Sequence, residues 1–181
     1  MEPAKNANPV SLAFRAAAAA LLALAVAGCG AERAPEAAPS VKTVWDHFAI
    51  EVGGHPAQLQ IAVIQAEQER GLMQRPDLGG DEGMLFVDAS PTRLNFWMRN
   101  TPEPLDLGYL SREGVIAEIY ELLPYDERTV ASHGDQLQFA LEMPRGWFAA
   151  NGIRAGSRID LKAVAGALRA RGFDPAKYGL K

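Results

Sequence analysis

The chain has 181 residues, 48% of them hydrophobic and 22% charged, which is enough for one domain of ordinary size with its own core. Its formal net charge of −4, with no long basic run, excludes a phosphate-tracking nucleic-acid binder as the default class. A single cysteine, Cys29, excludes internal disulfides and thiolate metal clusters.

In chain order, the first element is a leader. Lys5 and Arg15 precede an apolar run over residues 16–27 (AAAAALLALAVA). That run has the length of a signal-peptide core and is short of the roughly 20 residues that span a bilayer. It ends in Val26-Ala27-Gly28-Cys29, which resembles the lipobox of bacterial lipoproteins. The resemblance implies removal of residues 1–28 and a diacylated Cys29 at the mature N-terminus. The competing reading is an ordinary signal peptide or membrane anchor with an incidental cysteine. Gly30, where an Asp would retain the protein at the inner membrane, looks like an outer-membrane address facing the periplasm. The implied partner is then the membrane itself, held through acyl chains. Residues 29–42, rich in Ala, Pro and Glu without apolar periodicity, read as a flexible tether.

From residue 43 the pattern becomes that of a folded domain, predicted over 43–162. Residues 47–52 (HFAIEV) alternate, Gly53-Gly54-His55-Pro56 signals a turn, and residues 58–64 (QLQIAVI) alternate again, together an antiparallel hairpin. Residues 66–70 (AEQER) suit a short helix that Gly71 stops. Strands follow at 84–87, 94–98, 105–110, 115–122, 137–143 and 157–161, with loops at 77–83 and 124–134 and a short helix near 145–151. Along 137–143, Leu137, Phe139 and Leu141 are expected on one face, away from Glu142. Residues 163–181 read as a terminal helix with a loose tail. Eight short strands with recurrent turn signals predict a mainly β fold, an antiparallel sandwich or open barrel with two or three short edge helices, in preference to βαβ units; α+β is the alternative.

Several separated blocks carry a further resemblance: Arg70-Gly71-Leu72-Met73, Gly83-Met84-Leu85-Phe86, Phe96-Trp97-Met98-Arg99-Asn100-Thr101, Pro104-Leu105-Asp106, Ala140-Leu141-Glu142, Gly146-Trp147 and Gly152. In this order they resemble domain-of-unknown-function family 192, a small prokaryotic domain often found behind a signal peptide. The resemblance implies a mostly antiparallel β fold and no particular activity. The segment 164–181 departs from it by addition.

The segment 93–110 (RLNFWMRNTPEPLDLGYL) is the best place for a site, because a polar knot interrupts an apolar strand pattern. The candidate ligand-binding residues are Arg70, Trp97, Arg99, Asn100, Thr101, Asp106 and Glu142. Arg70 reads as an anion clamp or as a structural ion pair, Glu142 being the natural partner. Asn100, Thr101 and Asp106 either orient a polar ligand or bond among themselves to set the strand crossover. Asp81 and Glu82 read as a solvated loop, with an acid–base pair as the sharper alternative. Met73, Met84, Met98 and Met143 fit core packing better than a Cu(I) site. His47, His55 and His133 lack metal-ligand spacing, so no metal and no cofactor is expected. No serine-elbow, P-loop or dinucleotide fingerprint occurs. Three functions remain in play: a non-catalytic envelope module binding a small polar ligand, a saccharide or an envelope protein; a structural or assembly factor; and a carboxylate-based hydrolase or lyase. The first accounts for most of these features.

Overall fold

The computed structural model describes residues 40–181. The leader, Cys29 and most of the tether lie outside the described residues.

The domain is mainly β. Its strands are β1 (Phe48–Val52), β2 (His55–Ala62), β3 (Glu82–Thr92), β4 (Asn95–Phe96), β5 (Leu105–Ser111), β6 (Ile116–Leu122), β7 (Val130–Ala131) and β8 (Leu137–Pro144). Six of them form one sheet in the order β1-β2-β3-β8-β5-β6, and β4 pairs with β7 in a second. The β1–β2 hairpin turns on Gly53 and Gly54, whose φ values of 60° and 85° suit the two-residue turn that matches strand twist.

The large sheet is mixed, not purely antiparallel. Strands β2 and β3 run parallel, with Ile61 opposite Leu85, and the crossover between them contains α1 (Gln65–Arg70). Parallel neighbours require such a crossover. Residues 157–161, expected as a last strand, instead bridge the two sheet edges. Val52 pairs with Ile159 at the β1 edge and Val115 with Arg158 beside β6. The amides of Gly53 and Ile116 donate to the carbonyls of Arg158 and Ser157. The sheet is thereby curled toward a partly closed barrel, and both exposed edges are blunted over this stretch.

Strand alternation sorts the core onto the two faces. Leu59, Ile61, Leu85, Val87, Phe139, Leu141 and Met143 pack with α2 (Trp147–Ala150) and with α3 (Leu161–Ala170), which contributes Val164, Ala165, Ala167 and Leu168. On the other face Met84, Phe86, Leu105, Leu107, Tyr109 and Ala140 pack beneath Leu72, Leu94, Met98 and the small sheet. Phe86, Phe96 and Tyr109 form an edge-to-face chain there, with centroids 4.7 and 5.8 Å apart. Leu137 belongs to this second face although Phe139 belongs to the first, contrary to simple alternation. The cause is the register shift where β8 meets β3 and β5.

The segment expected to be a loose tail is packed. Asp160 caps α3 by accepting from the amides of Lys162 and Ala163 at 2.9 and 3.1 Å. After α3 comes a 3₁₀ turn, Pro175–Tyr178, and Leu180 is buried. The last tether residues are tied down as well, the Lys42 amide donating to the Ala170 carbonyl at 2.9 Å.

Gly83 shows how tightly the layers meet. A Cβ at this position would fall on the Met143 sulfur and the Glu142 carbonyl oxygen. Gly83→Ala is expected to cost about 3 kcal/mol in urea denaturation, because backbone cannot yield as a side-chain tip can.

Candidate functional site

The polar knot is largely self-bonded. Asn100 adopts a left-handed φ of 54°, is exposed, and its carbonyl accepts from the Gln74 amide at 2.8 Å. Thr101 is buried; its amide donates to the Met98 carbonyl at 3.1 Å and its hydroxyl to the Arg99 carbonyl at 3.3 Å. The Tyr125 amide donates to the Thr101 carbonyl, tying the knot to the following loop. Arg99 lies over the Trp97 ring at 5.5 Å.

Asp106 and Glu142 do not converge. Asp106 is flanked by Leu105 and Leu107 of the second face and sits opposite Met143 of the first, so it points toward α2. There its carboxylate accepts from the Gly146 amide at 2.9 Å, satisfying a donor at the start of that helix. Burial raises its pKa and this hydrogen bond opposes the rise. Glu142 pairs in register with Met84 and Leu107 and points to the second face. A carboxylate couple of Asp106 with Glu142 is therefore excluded by strand geometry. Asp106→Ala is expected to cost about 1–3 kcal/mol of stability in urea denaturation through the abandoned amide.

Asp81 and Glu82 also have structural duties. Asp81 accepts from the Trp147 indole at 2.9 Å, whereas Glu82 accepts from the Gly79 amide and lies 3.7 Å from Arg75. Met84, Met98 and Met143 are buried, divided between the two faces. Among the described residues no group of three or more His, Cys, Asp or Glu gathers to hold a metal.

Four of the seven sequence candidates meet in one narrow slot. Arg70, Trp97, Thr101 and Glu142 line it with the rest of residues 68–73 and with Phe86 and Phe96, around a volume of about 30 Å³. That is room for one or two water-sized groups. The slot shares Glu69, Met73 and Trp97 with a wide vestibule of about 420 Å³ that Arg99 and Asn100 complete. Six candidates thus belong to one concavity, and only Asp106 stands apart.

Glu142 forms the buried end of this slot. It is 4% exposed and has no ion pair within 4.0 Å among the described residues. Burial, with no offsetting hydrogen bond or cation, pushes its carboxyl up to about 8. The expected Arg70–Glu142 pair is absent because Arg70 lies over the Trp45 ring, 4.7 Å from its centroid. The tie between α1 and the rest of the fold is made by Glu67 and Arg171, 2.5 Å apart. Nothing in the sequence pointed to Arg171, which lies in the segment read as a tail. Glu69, Phe86 and Phe96 were also missed as lining; the last two stood within the quoted motif blocks, where a core role sufficed.

The comparisons with known proteins agree with this architecture. No curated protein matches the chain. A protein from Sinorhizobium meliloti 1021, described as a candidate transcription regulator, has a similar crystal structure: TM-score 0.62 and 26% identity, over 66% of this chain and 96% of that one. A protein of unknown function from Novosphingobium aromaticivorans DSM 12444 is similar at TM-score 0.61 and 35% identity, over 68% of this chain and 93% of that one. Residues 48–161, which carry the sheet and the slot, match the family DUF192 (Uncharacterized ACR, COG1430), and the chain belongs to that family.

Proposed function

We propose that this protein is a lipid-anchored module of the cell envelope, held by Cys29 at the outer membrane and facing the periplasm, that binds a small polar ligand without catalysis. The observation that carries the binding reading is the carboxyl of Glu142, which belongs to a residue only 4% exposed, makes no hydrogen bond or ion pair to a side chain or amide among the described residues, and opens into the slot. A buried polar group without a partner is rare in a folded protein and calls for a ligand or an ordered water. Trp97, 42% exposed between the slot and a side groove of about 330 Å³, offers the apolar platform such sites use. The resemblance of Val26-Ala27-Gly28-Cys29 to a lipobox and the uncharged Gly30 support the address.

Non-catalytic binding is favoured over a hydrolase built on Asp106 and Glu142 because Asp106 lies across the sheet, and the other carboxylate of the slot, Glu69, stands at its passage and accepts from Gln65. The test is a thermal-shift and calorimetry panel on the full chain in detergent, spanning neutral saccharides, amino acids and phosphorylated small molecules. At least one class is expected to raise the melting temperature of the native chain and not that of Glu142→Ala. A panel that stabilises neither form would leave the structural or assembly role. Palmitate labelling of the wild type, lost in Cys29→Ser, tests the anchor.

A further inference from the structure

Apart from Arg70 and the Trp97 indole, the polar side chains that line the slot offer mainly acceptors. Glu142 brings a carboxyl that no protein donor answers, and once ionised it offers two acceptor oxygens. Thr101 spends its proton on the Arg99 carbonyl and turns remaining lone pairs loose. The Gln68 amide nitrogen donates to the Val87 carbonyl at 3.1 Å, which leaves its oxygen free. Glu69, at the passage between slot and vestibule, accepts only from Gln65, at 2.7 Å. Around these acceptors stand aromatic walls, Phe86 and Phe96 edge to face and Trp97 beside them. Of the charged donors, Arg70 lines the slot itself and Arg99 lines the vestibule. Arg70 and Arg99 each rest on an indole ring, of Trp45 and Trp97, and neither has a carboxylate within 4.0 Å among the described residues.

We infer that the slot seats the primary ammonium of a small zwitterion, with Glu142 as its counter-ion and Arg70 and Arg99 facing the ligand's anionic group. This rests on the ligand-binding reading above and narrows it to one chemistry. An ammonium supplies three N–H donors and a positive charge in a volume that about 30 Å³ admits, and aromatic walls favour it. A trimethylated nitrogen is too large for the same space. The stacked guanidinium groups keep their N–H edges open for a phosphate or carboxylate. A free amino-phosphate or amino acid and an ethanolamine lipid headgroup share this chemistry.

Binding is coupled to proton release. The ionisable groups around Glu142 are Glu69 and Arg70 of α1 and Tyr109 of β5, whose hydroxyl is engaged with the Val130 carbonyl at 2.6 Å. With its carboxyl held at about 8, Glu142 is mostly protonated at pH 7 and must ionise to pair with an ammonium.

The test is titration calorimetry of the full chain in detergent at pH 7, in two buffers of different ionisation enthalpy. The probes are O-phosphoethanolamine, glycine, phosphocholine and 2-hydroxyethyl phosphate. The two primary ammonium probes are expected to bind about tenfold or more tighter than the other two, with close to one proton released per ligand. Glu142→Gln should abolish both the preference and the proton release while remaining folded by circular dichroism. Binding to vesicles of phosphatidylethanolamine over phosphatidylcholine would assign the lipid source, and binding of the soluble probes alone the free one. Equal affinity for all four probes, or preferential binding of a neutral saccharide, overturns the inference and leaves the ligand-binding reading standing. Absence of any binding across both panels overturns both.

Discussion

Urea denaturation at pH 5, 7 and 9 is expected to show the protein losing stability toward alkaline pH, and the variant Glu142→Gln losing far less. A carboxyl whose folded-state pKa lies above its unfolded one favours folding while it is protonated. Below 4.5 that contribution is fully present; it is eroded as pH rises from 4.5 to about 8, where the unfolded chain ionises and the folded one resists. The displacement from 4.5 to about 8 is worth at most about 5 kcal/mol, and water reaching the slot mouth lowers it. Glutamine keeps the shape and cannot ionise. It should therefore match the native chain near pH 5 and exceed it by about 2 kcal/mol at pH 9. Parallel pH curves for the two proteins would mean that Glu142 is solvated or paired, and the proposed ligand-binding role of the slot would lose its central observation. The acid side has another origin. Glu118 is held down at about 2: burial opposes ionisation, but hydrogen bonds from the Tyr120 hydroxyl and the amides of His133 and Gly134 outweigh it. Stability from this group is present above 4.5 and is lost as pH falls toward 2, in both proteins alike.

The sequence was most readable where a local rule decides the outcome. Alternation located most of the strands, paired glycines fixed the first hairpin, and Gly71 marked the end of α1. It was least readable where the decision is made at a distance. The parallel pairing of β2 with β3 depends on how far the 63–81 crossover travels, and nothing within either strand encodes it. The segment 157–161 alternates like a strand, but its bonds go to two different edges. The site followed the same rule. Six of seven candidates, chosen because a polar cluster interrupted apolar strands, do share one concavity. Asp106 was grouped with them by sequence proximity and lies on the opposite face, since one residue of register reverses the direction of a side chain. Arg70 and Glu142 were matched by charge, whereas the structure leaves both without a salt bridge and pairs Glu67 with Arg171 across 104 positions.

That distant pair leads to a large expected loss of stability. Arg171 is 8% exposed, donates to the Ile61 carbonyl at the end of β2, and reaches both oxygens of Glu67, at 3.1 and 2.5 Å. Glu67 in turn accepts from the amides of Val63 and Ile64 at 2.9 and 3.3 Å, closing the first turn of α1. Burial would raise the Glu67 pKa, but the Arg171 hydrogen bond and these two amides bring it below the ordinary carboxylate range. Arg171→Met is expected to cost about 3 kcal/mol in urea denaturation at pH 7, because it strands a half-buried carboxylate and a buried carbonyl together. The double variant Glu67→Gln/Arg171→Met should recover at least about half of that loss, since no uncompensated charge remains. Arg171→Lys should fall between, keeping the charge and losing the two-pronged geometry. The consequence extends to the site. α1 and the turn after it supply residues 68–73 of the slot wall, and the residue that fastens them lies ten positions beyond the family match, in the C-terminal addition. If that addition were an appendage, Arg171→Met would melt like the native chain; if it is the brace the geometry describes, affinity for the ligand proposed above should weaken in the surviving folded fraction of Arg171→Lys along with stability.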